Sequence, residues 1–135
     1  MGGEENIETV KALYDAFGRG HVEAILERLT DDVDWSTDAA IKSAPWYGAR
    51  HGKDAVRGFF DGIGRTGPVT QFTPVSFASN EDGDVFAFLQ YAFTVTATGK
   101  GVAMNLHHYW RFRDGKICFV RASEDTAQVA AALGE

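Results

Sequence analysis

The spacing of apolar residues predicts helices in the first half of the chain. A first helix is indicated by an apolar stripe at Ile7, Val10, Tyr14 and Phe17. Similar stripes predict a short second helix over 22–29 and a third over 55–63. Between them, 33–37 alternates apolar and polar residues as a short strand does, and 38–51 lacks periodicity and predicts a loop.

The second half of the chain switches to the two-residue alternation and the β-branched and aromatic residues that are typical of strands. Four strands are predicted, at about 69–78, 85–97, 102–112 and 116–124. Turn sequences separate them, and an Asp-Gly pair between two alternating runs is a strong hairpin signal. A final turn or helix is predicted over 125–133, after a capping-box sequence.

The predicted order of elements is α-α-β-α-β-β-β-β, in a single domain that spans residues 1–135. Strands joined by short hairpins must be antiparallel, and the helices have to cover one face of their sheet. We therefore expect an α+β fold in which an antiparallel sheet packs on helices. Some strands are apolar on both faces, as where Phe86 and Phe88 alternate with Val85 and Leu89. A second subunit is the economical cover for the outer face, so we expect a homodimer.

The composition and charge of the chain argue against some classes of binding partner. The 135 residues have a formal net charge of −6 and no cluster of Lys and Arg, so the chain lacks the footprint of a nucleic-acid binder and matches an anionic membrane surface poorly. No apolar stretch is long enough to span a membrane, and the acidic first residues are unlike a signal peptide. Cys118 is the only cysteine, so no intrachain disulfide can form. We expect a soluble, cytoplasmic domain.

Two short motifs suggest a nucleotide or a metal site, but their positions in the predicted helices and strands argue against both. Residues 62–67 spell the dinucleotide fingerprint G-x-G-x-x-G, but they follow a predicted helix and precede a strand, whereas the fingerprint must follow a strand and open a helix. His107 and His108 are adjacent on a predicted strand, so their side chains point to opposite faces and cannot bind one metal ion together. We expect neither a nucleotide cofactor nor a metal.

Several local sequences occur in the order and spacing of a known superfamily. They are the helix with Tyr14 and Phe17, the segment Leu29-Thr30-Asp31-Asp32-Val33-Asp34-Trp35, the segment from Pro45-Trp46-Tyr47-Gly48 to Phe59-Phe60, the run Trp110-Arg111-Phe112-Arg113-Asp114-Gly115-Lys116-Ile117, and Asp125. On these residues the chain resembles the SnoaL-like and ketosteroid-isomerase-like branch of the nuclear-transport-factor-2-like superfamily, over nearly its whole length.

The resemblance implies an α+β cone, in which a curved antiparallel sheet wraps around helices and leaves an apolar cavity open at one end. Members of the superfamily include isomerases, polyketide cyclases, epoxide hydrolases, dehydratases and non-catalytic transport factors. The shared fold therefore does not decide the function, which has to be argued from the residues of the cavity.

His108 and Tyr14 are the first candidate site residues. His108 is the only polar residue on the apolar face of strand 102–112, which it shares with Trp110. It matches the position where ketosteroid-isomerase-like proteins place a cavity acid, and a His in an apolar wall can act as acid or base near neutral pH. Tyr14 resembles the oxyanion-hole Tyr on the first helix of those isomerases. The structural alternative for each is a core residue with a hydrogen-bonded neighbour.

Two carboxylates are candidate proton carriers. The position of the isomerases' general base falls on Thr37, with Asp38 one residue further, and alternation turns Asp38 away from the cavity unless the strand ends or bulges there. The polyketide cyclases' base, an Asp in the last strand, falls on Ala122. Glu124 lies near the cavity end of that strand, on the face of Val120, where an apolar pocket would raise its pKa and let it act as base or acid. The alternative for Glu124 is a solvated strand end.

Large aromatic residues are expected to line the mouth and wall of the cavity: Trp35, Trp46, Tyr47 and Phe59. Together with Trp110 and Val120 they would favour a flat, apolar ligand such as a fused-ring or cyclic carbonyl compound, and simple core filling is the alternative. Cys118 is predicted on the same face as Val120, as a small buried hydrophobe.

Three functions are open at this point. The first is a cofactor-independent enzyme, an isomerase, cyclase or related lyase or hydrolase, in which His108 and Glu124 move protons and Tyr14 stabilises an oxyanion. The second is a non-catalytic protein that binds a small hydrophobic ligand. The third is a dimeric protein-interaction scaffold, which predicts a cavity filled by its own side chains.

Overall fold

The computed structural model describes residues 2–135, in which helices and strands follow the order α-α-β-β-α-β-β-β-β-α. Their bounds are α1 Gly2–Gly18, α2 Val22–Leu26, β1 Leu29–Thr37, β2 Gly48–His51, α3 Lys53–Thr66, β3 Val69–Ser79, β4 Val85–Val95, β5 Lys100–Arg113, β6 Lys116–Ser123 and α4 Thr126–Ala132. Within these residues, no helix has the length and apolar character that a bilayer crossing requires.

All the predicted helices and strands are present, and the structure adds one strand, β2. The C-terminal segment forms α4, where the Asp125 side chain accepts a hydrogen bond from the backbone N–H of Gln128 at 3.1 Å and so caps the helix. The loop predicted over 38–51 is wrong for its last four residues, because Gly48–His51 forms strand β2. Four residues give too short an alternation for a sequence pattern to reveal.

The strands form one six-stranded sheet in the order β2-β1-β6-β5-β4-β3. The hairpin-joined strands from β3 to β6 pair antiparallel, as predicted. β1 pairs parallel with β6, with Trp35 opposite Val120, so the sheet is mixed and the expectation of a wholly antiparallel sheet is corrected. No short turn joins β1 to β6, and the antiparallel rule constrains only strands that a tight turn connects.

One face of the sheet packs against the helices. α1 contacts β3 and β4, and α3 contacts β1 and β2. Along β5 the burial alternates as predicted, with Leu106 and Trp110 buried and Asn105 and His107 exposed. The core therefore lies between the helices and the inner face of the sheet, which carries His108.

The start of β6 departs from the predicted assignment of faces. The pairing of β5 with β6 shifts register next to Cys118, a bulge that leaves this residue without an opposite partner. Ile117 is fully buried, whereas Cys118 is only partly buried, which corrects the expectation of a buried cysteine. Beyond the bulge, Val120 and Ala122 are buried as predicted.

The G-x-G-x-x-G sequence lies at the end of a helix. Residues 62–66 form the last turns of α3, and Gly67 follows the helix ahead of β3. The C-terminal end of a helix presents carbonyl groups, whereas a pyrophosphate binds the N–H groups at a helix N-terminus. The motif therefore ends a helix here, as its context predicts.

Two glycines at the end of α3 provide a matched pair of substitutions. A Cβ at Gly67, whose φ is 156°, would overlap the Thr94 carbonyl oxygen, whereas a Cβ at Gly64 meets nothing within 4 Å. We expect Gly67→Ala to lower the free energy of unfolding by about 1–3 kcal/mol, the usual range for overpacking. Gly64→Ala should raise it by about 0.5–1 kcal/mol, because alanine is the better helix former. Chemical denaturation measures both changes, and equal stabilities would contradict the close approach at Gly67.

Candidate functional site

A cavity of about 50 Å³ lies between the helices and the inner face of the sheet. Side chains from α1, α3 and five of the strands form its walls, and most of them are aromatic or aliphatic. The lining side chains with polar atoms are Tyr14, Trp35, Thr37, Tyr91, His108, Trp110 and Glu124. Six of the residues that the sequence predicts for the site are thus brought together: Tyr14, Trp35, Phe59, His108, Trp110 and Glu124.

The cavity is small for the ligand that the sequence suggests. A buried water needs about 10–15 Å³ on this scale, so 50 Å³ holds a few waters or the end of a small molecule. A fused-ring compound could enter completely only if wall side chains moved. The aromatic side chains therefore fill part of the wide cavity that the sequence analysis predicts.

Tyr14 connects α1 to β5 through two hydrogen bonds in the cavity wall. Its hydroxyl oxygen accepts a hydrogen bond from Trp110 Nε1 at 3.2 Å and lies 2.6 Å from His108 Nδ1. The phenol has one proton to donate, and His108 Nδ1 is its acceptor within hydrogen-bond distance among the described residues, so we assign the phenolic proton to that bond. Burial raises the pKa of Tyr14, which keeps this proton on the phenol.

This chain of hydrogen bonds sets the protonation of His108. A ring nitrogen that accepts from Tyr14 has no proton of its own, so the neutral ring has its proton on Nε2. Burial, together with a smaller contribution from the neighbouring His107, lowers the pKa of His108 to about 3. At neutral pH His108 is therefore an uncharged hydrogen-bond donor through Nε2.

Glu124 is the one carboxylate among the described residues that line the cavity. It follows β6, and its Oε1 accepts a hydrogen bond from Trp46 Nε1 at 3.1 Å. Burial raises the pKa of Glu124, and the hydrogen bond from Trp46 opposes part of that rise. A carboxylate with a raised pKa is a better proton acceptor once ionised, which is the property that a general base needs.

Tyr47 lies beside Glu124 without bonding to it. Its hydroxyl is close enough to lower the pKa of the carboxyl group, but it is buried without a partner in hydrogen-bond geometry within residues 2–135. Burial is the main cause of the raised pKa of Tyr47, and the charge of Glu124 adds to it. The phenol therefore stays protonated next to the carboxylate.

Asp38 lies outside the cavity, just after β1. Its carboxylate accepts a hydrogen bond from Ser36 Oγ at 2.5 Å and lies 3.9 Å from Arg121 Nε, and 76% of its side chain is exposed. From Asp34 to its end at Thr37, β1 keeps a regular register with β6, with no bulge there that would turn Asp38 inward. The structure therefore separates Asp38 from the other candidate site residues.

The positions on which the family's two bases fall both line the cavity, as Thr37 and Ala122, and neither carries a carboxylate. Thr37 Oγ1 is buried and has no hydrogen-bond partner in the described part of the chain. Ala122 is the register partner of His108, and Glu124 follows it by two residues. Residues two apart share a face, so Glu124 reaches the cavity diagonally across from His108.

The aromatic and apolar residues that the sequence predicts for binding the ligand divide into two groups. Those that line the cavity are Trp35, Phe59 and Trp110. Those that do not are Trp46, Tyr47 and Val120. Trp46 instead orients the Glu124 carboxylate, and Val120 is buried in the sheet opposite Trp35.

Several lining residues are absent from the predicted site residues, among them Tyr91 and Phe72. Tyr91 shares the buried face of β4 with Leu89 and Phe93, so the alternation of buried and exposed residues along that strand could have identified it. Phe72 lies on β3, where most residues are exposed and no alternation is visible. It reaches the cavity by packing on Tyr14, with the two ring centroids 5.3 Å apart.

The comparisons with known proteins agree with this fold. The family model of the SnoaL-like domain matches residues 10–120, and no curated protein matches the sequence significantly. An NTF2-like protein of unknown function from Burkholderia pseudomallei has a TM-score of 0.88 at 23% identity, over 97% of this chain and 98% of that one. A protein from Xanthomonas campestris that is provisionally named a polyketide cyclase has a TM-score of 0.85 at 20% identity, over 99% and 100%. One from Rhodopseudomonas palustris, provisionally named an isomerase, has a TM-score of 0.75 at 24% identity, over 93% of each chain.

The hydrogen bonds of His108 predict its tautomer and its charge. We expect a neutral ring protonated on Nε2 at pH 7, which becomes cationic only as the pH approaches about 3. Long-range ¹H–¹⁵N NMR spectra report both properties. Tyr14→Phe removes the donor to Nδ1 and should yield a mixture of the two tautomers. An imidazole that titrates near its ordinary pKa of 6.5 would contradict the burial of this ring.

The same shift makes stability depend on pH. Below 6.5 the unfolded chain protonates His108, whereas the folded chain does so only near pH 3, so the unfolded state binds more protons in this interval. The free energy of unfolding should therefore fall as the pH drops through it, by up to about 1.4 kcal/mol per pH unit from this group. The raised pKa of Glu124 acts in the opposite direction above 4.5. His108→Gln should show a shallower decline than wild type in denaturant titrations, and parallel curves would contradict the shift.

Proposed function

The chain belongs to the SnoaL-like domain family, and from that premise we propose that it is a cofactor-independent enzyme that transfers a proton within a small hydrophobic carbonyl compound. Glu124 is the base, and His108 binds the carbonyl oxygen. The observation that supports this most directly is one apolar cavity that contains a carboxylate with a raised pKa and a neutral imidazole held by Tyr14.

The proposed reaction is a double-bond isomerisation. Glu124 takes a proton from the carbon next to the carbonyl group, and the electron pair of that C–H bond forms a new C=C bond while the carbonyl π electrons move to the oxygen. His108 Nε2–H donates a hydrogen bond to the resulting enolate oxygen. In a substrate whose C=C bond lies one carbon further from the carbonyl group, this enolate is a dienolate, and protonated Glu124 returns the proton to its γ carbon. The electron pair on the oxygen re-forms the C=O bond, the C=C bond moves into conjugation with it, and the carboxylate is restored.

Tyr14 has a positioning role in this proposal. Its proton is committed to His108 Nδ1, and its oxygen already accepts from Trp110, so it has no second proton for a substrate oxygen. It holds the imidazole in the tautomer whose Nε2–H can donate. The oxyanion contact that the sequence analysis gives to Tyr14 therefore passes to His108, one hydrogen bond further along.

We also propose that the chain forms a homodimer through the outer face of its sheet. Phe86 is 44% exposed, and its ring packs on Tyr109 with centroids 5.0 Å apart. Tyr109 in turn packs on Phe119, at 6.1 Å, which extends the aromatic surface over three strands. Phe86 is exposed, and the Tyr109 and Phe119 rings are partly buried. A contiguous aromatic surface of this kind is typical of protein interfaces.

Conversion of cyclohex-3-en-1-one to the conjugated cyclohex-2-en-1-one tests the reaction on a single ring. We expect Glu124→Gln to lower kcat by about 100-fold or more, the contribution usual for a general base. Asp38→Asn, the matched change at a carboxylate outside the cavity, should leave kcat within about twofold of wild type. Ultraviolet absorbance of the conjugated product gives the rates.

The pH dependence of kcat/KM adds a second criterion. The rate should rise with pH along one ascending limb, because Glu124 must be ionised and its pKa is raised, while His108 stays neutral throughout. A Glu124→Gln variant as fast as wild type would refute the proposed base. Saturable binding of the ketone by wild type without turnover would instead favour the non-catalytic binding protein.

Light scattering on the purified chain tests the dimer. We expect a mass of twice the 14.7 kDa of one chain, and we expect Phe86→Glu to give the monomer because it puts a charge into an apolar interface. Thr70→Glu, at an exposed position of the edge strand β3, is the control and should leave the dimer intact. A wild-type mass of 14.7 kDa would exclude the interface.

A further inference from the structure

A larger groove lies outside the cavity and shares part of its wall. It has a volume of about 700 Å³ and runs between the end of α1, the end of α3 and the start of β3. The side chains that line both spaces are Phe17, Phe60, Ile63 and Phe72. Because the same side chains face both spaces, a partition one side chain thick separates the cavity from the groove.

The partition consists mainly of aromatic rings in contact. The ring centroids of Phe17 and Phe72 are 4.7 Å apart, and those of Phe17 and Phe60 are 5.8 Å apart. Phe17 and Phe72 are only partly buried. Rings that are not fully enclosed change rotamer without disrupting a core, so a ligand end can pass between them. Phe72 also packs on Tyr14, which places the partition directly beside the residue that holds His108.

The groove has a lining of uncharged residues. None of the described residues that form it is charged, although the whole chain has a net charge of −6. Its neutral polar groups belong to Thr70, Gln71 and Thr96, and glycines at the helix ends leave the space between them open. Such a surface suits an uncharged, largely apolar chain or ring, because no charged group is desolvated when it binds.

We propose that the cavity and the groove form one two-part binding site for an elongated, uncharged ligand. An oxygen-bearing ring enters the cavity past the partition, and an apolar tail attached to that ring lies in the groove. The inference rests on the proposed function, because the ring is the part that would meet His108 and Glu124. It also accounts for a reaction cavity of only about 50 Å³ next to a groove of about 700 Å³.

Gly64 and Gly18 allow the groove to be filled while the cavity is left unchanged. Both line the groove and neither lines the cavity, and a Cβ on either meets nothing within 4 Å. Leucine at either position therefore occupies groove space, and it favours a helix more than glycine does. Arg65→Leu is the matched control, since it adds the same side chain at the adjacent exposed position, which does not line the groove.

Phenol and 4-hexylphenol are the probes, titrated by isothermal calorimetry. Phenol has the ring and the oxygen alone, and the hexyl group adds the tail. We expect wild type and Arg65→Leu to bind 4-hexylphenol at least about tenfold more tightly than phenol, because each buried CH₂ group adds affinity. Gly64→Leu and Gly18→Leu should lower that ratio to about threefold or less, with the Kd for phenol within about twofold of wild type.

Three results would overturn the two-part site: an unchanged ratio in both glycine variants, a ratio near one in wild type, or no saturable binding of either phenol. Glu124→Gln separates this inference from the proposed function. It removes the base but no part of the groove, so it should keep the wild-type ratio of affinities while it loses isomerase activity. Failure of the binding site and failure of the catalytic proposal are therefore visible in different measurements.

Discussion

A buried phenol has to satisfy its hydroxyl group, and Tyr14 does so at the point where α1 meets β5. The hydroxyl accepts from Trp110 at 3.2 Å and donates to His108 at 2.6 Å, so one oxygen fixes the helix on the sheet. The bond to Nδ1 decides which nitrogen of His108 holds a proton. Phe72 packs on the Tyr14 ring and closes the cavity toward the groove. Fold, tautomer and access to the cavity therefore depend on one side chain that a helical stripe of apolar residues places in the core.

The sequence predicted the features that local periodicity controls. The apolar stripe of α1, the hairpins from β3 to β6 and the inward face of His108 each follow from the repeat of a single element and its turns. The parallel pairing of β1 with β6 and the bulge beside Cys118 depend on which distant strands meet and in what register. No local pattern contains that information, and these are the places where the expectation of a wholly antiparallel sheet and of a buried cysteine failed.

In the candidate site, too, local alternation predicted some features, whereas others depend on the tertiary fold. Alternation along β1 and β6 placed Asp38 outward and Glu124 inward, as the structure has them, because the last residues of both strands keep a regular register. The contact of Trp46 with Glu124 could not be predicted, since Trp46 lies in an irregular segment whose path only the folded chain defines. The size of the cavity also could not be predicted from the sequence. Many aromatic residues suggested a wide pocket, but how far their rings fill it depends on rotamers and packing.

The apolar wall has opposite effects on the pKa values of its two titratable groups for one physical reason. Removal from water disfavours charge of either sign, so the pKa of His108 falls and that of Glu124 rises. In the proposed reaction, only the carboxylate is charged before the proton transfer. As Glu124 takes the proton from the carbon next to the carbonyl group, its negative charge is lost and the same charge appears on the ligand oxygen. The cavity then contains one negative charge before and after the step, and the neutral Nε2–H of His108 stabilises it without a second charge having to be buried. An imidazolium would require that second charge, which explains why a site of this kind needs a neutral donor and a phenol to hold it in place.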